Sequence, residues 1–198
     1  MKEILKELDV LLEANNQPYY NQIDEPLDKS EIVKLLDENK LFHCMELIEL
    51  YSWHGWVNKE TIYNGNYTEL CSLGCLIDIK SAFEKFSKDK EFDNYLDGKL
   101  PIVIRDDGDY MAVDLKKESP TRGFIYVCEP AITLSEEMIK IYDSIPLFLQ
   151  TICECYKQKV YTLGDRYLNI DIDKEYAISK RMNPQSKYWV DDDSEMSE

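Results

Sequence analysis

The chain has 198 residues, enough for one domain with a sizeable core. Hydrophobic residues make up 44% of it, which excludes a chain that stays disordered for lack of apolar surface. Its 39 acidic and 23 basic residues leave a formal charge of −16, so phosphate backbones and anionic membranes should repel it, and a basic protein partner suits it better.

Apolar residues at helical spacing (Ile4, Leu5, Leu8, Leu11, Leu12) predict an amphipathic helix over 3–14. Charges interrupt this stretch, so it lacks the apolar core of a secretory signal. No later stretch approaches the roughly 18 apolar residues of a membrane span. A cytoplasmic protein with reduced cysteines is expected. "NNQPYYNQIDEP" (15–26) is polar with two prolines and reads as a linker or loop. A second helix, "EIVKLLDENK", follows with Ser30 as its expected cap. A third, "LFHCMELIELYSWHG", should stop at Gly55 in a left-handed conformation. Residues 56–75 read as irregular. "DIKSAFEKFSKD" is a fourth helix capped by Asp78.

The pattern then changes to strands. "LPIVIRDDGDYMAVDL" (100–115) is two apolar runs around Asp106-Asp107-Gly108-Asp109. A calcium loop of the EF-hand type needs glycine sixth and glutamate twelfth; counted from Asp106, glycine is third and the glutamate is missing. Asp-Gly between apolar runs is instead a hairpin signal, because glycine accepts the positive φ of a tight turn. "GFIYVCE" is a third strand, and "EMIKIYD" a fourth with a short helix as its competitor. "SIPLFLQTICECYKQK" returns to helical spacing with Pro146 in its first turn. Helices, then strands, then a helix predict an α+β fold with a central, mainly antiparallel sheet and flanking helices. Tyr188 and Trp189 suggest that part of the tail docks, and the acidic end 191–198 should fray.

Catalytic and metal signals are weak. The six cysteines form no CxxC pair, and with His43 and His54 they complete no zinc pattern, so buried free thiols are expected. GxSxG, HExxH, GxGxxG and the P-loop are absent. His54, between Trp53 and Trp56, has no evident nucleophile to activate and reads as structural. No metal, cofactor or catalytic residue is expected, and the chain is not read as an enzyme.

The order of these stretches resembles the SUKH superfamily, named partly after a fungal regulator of cell-wall synthesis and abundant in bacterial toxin–immunity loci. The resemblance rests on "LYSWHGW" at a helix end, then "DIKSAFEKF", then "LPIVIRDDGDYMAVDL", which is similar to the family's "LPI…DGGGD…LDL" hairpin, then "GFIYVCE" and "DSIPLFLQTICECY". His54-Gly55 stands where members often read Asn-Gly. The resemblance implies a SUKH-like domain over 27–165, preceded by a helix and linker (1–26) and followed by a C-terminal segment (166–198). It implies an immunity protein that binds and neutralises a cognate toxin, often a nuclease, with a regulatory interaction module as the alternative. The charge fits a basic toxin. Asp106, Asp107 and Asp109, with Trp56 and Tyr110 as aromatic anchors, are the expected partner contacts.

Overall fold

The computed structural model describes residues 1–15, 18–64, 69–92, 96–129, 137–164 and 168–189. Its class is α+β. The helices are α1 (Lys2–Ala14), α2 (Lys29–Glu38), α3 (Met45–Trp53), α4 (Lys59–Tyr63), α5 (Ile79–Phe92), α6 (Ile145–Lys157) and α7 (Ile172–Met182). Among the described residues, β1 (Cys75–Leu76), β2 (Lys99–Ile104), β3 (Tyr110–Asp114), β4 (Ile125–Cys128) and β5 (Ile139–Tyr142) form one sheet in the order β1-β2-β3-β4-β5. Every neighbouring pair in it is antiparallel. A second, two-stranded sheet pairs β6 (Tyr161–Leu163) with β7 (Leu168–Ile170).

The core is built around α6. Ile145, Phe148, Leu149, Ile152, Cys153, Cys155 and Tyr156 are all buried, on more than one face of the helix. A helix that is apolar on most of its circumference must be surrounded. Here α1, α3, α7, β5 and β6 surround it. Ser144 accepts the Leu147 N–H at 3.2 Å and caps its start, with Pro146 in the first turn as expected. Asp78 likewise caps α5, accepting the Lys80 and Ser81 N–H groups at 2.9 and 3.0 Å.

Several local expectations are corrected. The start of α2 is capped by Asp28 in position, not by Ser30, which lies inside the helix. Residues 41–44 lie outside any helix, so α3 starts at Met45 and is shorter than its apolar pattern suggests. The residue with positive φ at its end is Trp56 (φ 62°), not Gly55. Gly55 is needed for another reason: a Cβ there would stand 2.3 Å from the Glu25 carbonyl oxygen. Its N–H donates to Asp24 O at 2.9 Å across this close approach. Residues 56–75 hold α4 and the start of the sheet. The 15–26 stretch includes a 3₁₀ turn (Pro18–Gln22) whose Tyr19 is fully buried and donates to Leu76 O at 3.3 Å.

"EMIKIYD" forms strand β5, and no helix competes there. One hydrophobic cluster takes in Leu5, Leu8 and Leu12 of α1, Ile178 of α7 and Trp189, so packing continues across the boundaries read at 26/27 and 165/166. Trp189 and Tyr188 dock as the sequence suggests: Ser186 donates to Lys140 O at 3.2 Å and Tyr188 to Glu129 at 2.9 Å. The acidic end 191–198 lies outside the described residues. None of the helices among the described residues is long and apolar enough to cross a membrane.

Candidate functional site

The β2–β3 hairpin turns at residues 105–109. Arg105 N–H donates to Asp109 O at 2.9 Å and Gly108 N–H to Arg105 O at 3.3 Å. Gly108 holds φ 100°, the left-handed region that glycine enters without strain. The Asp107 carboxylate accepts the Asp109 N–H at 3.1 Å. It also meets the Arg105 guanidinium at 2.7 Å, while Asp109 lies 3.7 Å from the same group. Asp107 and Asp109 therefore brace the turn.

Strand register brings two more carboxylates to it. Cys75 of β1 pairs with Ile104, which sets the 69–74 loop, and with it Glu69, beside the tip. Cys128 of β4 pairs with Tyr110, which sets Glu129 beside Asp109. Burial pushes the Glu69 carboxyl above its ordinary range; Arg105 and the Leu168 N–H pull it back, and Asp106 and Asp107 raise it further. Burial also raises Glu129, opposed by the Tyr188 hydroxyl and Arg105 and reinforced by Asp109 and Asp107. Five carboxylates, Glu69, Asp106, Asp107, Asp109 and Glu129, thus gather about Arg105. A second cation from a partner would be attracted here, because partly buried charges are screened less than exposed ones.

The expected contact residues divide. Asp106 and Asp107 are exposed at the tip. Asp109 and Tyr110 are only 2% and 3% exposed, and Trp56 is fully buried, so these three are corrected from surface contacts to internal supports. Asp109 tucks under Arg105. Tyr110 lies beneath Lys85 of α5, whose Nζ sits 4.4 Å from the ring centroid. Trp56 belongs to the end of α3, where its indole N–H donates to Leu50 O at 3.2 Å. Glu69 and Glu129 were missed. Nothing local in "YTEL" or "VCEP" marks them; only the register does.

The other candidates are structural. His54 meets Asp9 at 2.8 Å, and Trp53 donates to the other Asp9 oxygen at 2.9 Å, so this group pins α1 to α3. None of the six cysteines forms a disulfide, and all are buried. Burial pushes Cys44 up to about 11 and Cys153 and Cys155 up to about 12, so these thiols hold their protons at neutral pH. Among the described residues, no group of His, Cys, Asp and Glu has an arrangement that could hold a metal ion.

No protein-family model matches the chain, and no curated protein matches it either.

Proposed function

We propose that this chain is an immunity-type binding protein: it neutralises a basic bacterial toxin of the nuclease type by one-to-one association and carries out no catalysis itself. The observation that carries this reading is the braced hairpin tip, with Asp106 and Asp107 exposed above three further carboxylates that share Arg105. The overall charge of −16 and the SUKH-like order of motifs support it. Acidic side chains at the tip would steer a basic partner into register, and specific interfaces of this kind bury about 1,200–2,000 Å². The reading places the protein in the cytoplasm, where such a toxin would act.

The test uses the purified C-terminal domain encoded by the neighbouring open reading frame. Asp106→Asn/Asp107→Asn is expected to slow association by about tenfold at low salt, with a much smaller change in dissociation. The gap between variant and native protein should close towards ~0.5 M salt as screening becomes complete. Equal association rates for the two proteins at every salt concentration would remove the tip from the interface.

A further inference from the structure

Helix α7 is docked in an unusual way. Its buried face is Glu175, Ile178 and Ser179, so only one of the three side chains is apolar. Glu175 is 6% exposed. Ser72 of the 70–74 loop and Tyr161 of β6 each donate a hydroxyl to Glu175 Oε1 at 2.5 Å. At the other end of the helix, Asn183 donates to Thr151 of α6 at 3.2 Å. Ile178 is the one buried apolar side chain of the helix, with Tyr176 and Met182 partly buried against the core, so a buried carboxylate at this seam weighs on the docking balance.

The groups that face Glu175 come from every element packed there. They are Cys71 of the loop, Tyr142 of β5, Cys155 of α6, Tyr161 of β6 and Tyr188 of the tail. None of these is a cation. Burial raises the titration of each of them, Cys155 up to about 12, so they stay neutral from pH 4.5 to 8.5. On the helix itself Lys174 is paired with Asp171 at 2.6 Å, at its exposed start.

We infer that Glu175 is a proton-controlled latch: uptake of a proton holds α7 against the 70–74 loop and β6, and loss of that proton loosens the helix. Burial raises the Glu175 carboxyl above its ordinary 4.5, and the Ser72 and Tyr161 hydroxyls only partly oppose this. Releasing the helix returns the group to water and to its ordinary value. Docking is therefore strongest below the ordinary carboxylate pKa and weakens as pH rises through the docked-state value. Each unit of upward shift changes the docked-to-released ratio about tenfold.

The test is amide hydrogen exchange on the full chain from pH 4.5 to 8.5, corrected for the intrinsic pH dependence of exchange. Protection over Ile172–Met182 is expected to fall as pH rises, by up to about tenfold per unit, and relative to the sheet amides. Glu175→Gln should flatten that profile, whereas Glu129→Gln should leave it. Ser72→Ala removes one donor to the charged form and should move the midpoint to higher pH; it also serves if Glu175→Gln does not fold. Protection that is independent of pH, or a profile that persists unchanged in Glu175→Gln, would overturn the latch.

Discussion

Trp56→Ala is expected to lower the stability of the protein by about 3–5 kcal/mol, the range for deleting a large buried aromatic. The indole is fully buried, and its N–H is the donor to Leu50 O at the end of α3. The His54 ring stands edge-on to it at 5.3 Å. The backbone adds to the effect. Trp56 holds φ 62°, a conformation that costs an L-residue roughly 1–2 kcal/mol. It is kept there by hydrogen bonds on both sides, from Asp24 N–H to Trp56 O at 3.0 Å and from Val57 N–H to Leu76 O at 3.2 Å. Packing of the ring offsets that strain, and alanine would keep the strain and lose the packing. Denaturant unfolding reads the change as a lower midpoint with an unchanged slope. Native stability combined with weakened partner binding would instead make Trp56 an accessible anchor, as its place in an aromatic-rich stretch first suggests.

Asp114→Ala should cost about 2–4 kcal/mol, because it strands three donors at once. The carboxylate is 2% exposed. It accepts Ser119 Oγ at 2.5 Å, Thr121 Oγ1 at 2.8 Å and Lys116 N–H at 3.0 Å. Those donors span the β3–β4 connection, and Gly123 N–H closes the connection by donating to Asp114 O at 2.8 Å. The aspartate is thus the internal scaffold of a turn. Asp114→Asn keeps one acceptor oxygen and the volume, so it should lose less. Thermal unfolding of the two variants checks the order; equal midpoints for native protein and Asp114→Ala would contradict the scaffold role.

How legible the molecule is in its sequence depends on how local the causes are. The helices α1, α5 and α6 and the hairpin follow from periodicity and turn chemistry within a few residues. Helix α7 escapes because polar Glu175 and Ser179 share its buried face with Ile178 and interrupt the apolar stripe that marks an amphipathic helix. Asp171, whose side chain accepts Lys174 N–H at 3.2 Å, and Lys180 and Arg181 in the last turn were the signals available. Strands β6 and β7 have three residues each, too few to show alternation.

The site divides along the same line. Exposure of Asp106 and Asp107 follows from an Asp-Gly turn. Burial of Asp109 follows from Arg105 closing over it, and burial of Tyr110 from its packing against α5. Glu69 and Glu129 join the tip only through strand register, which links residues far apart in the chain.

The most direct test of the binding account is survival. The C-terminal domain encoded by the neighbouring open reading frame is expressed in a bacterium alone, and then together with this protein. The account predicts that the domain kills alone and that colonies return when this chain is present. Killing that is equal with and without the chain would contradict the account.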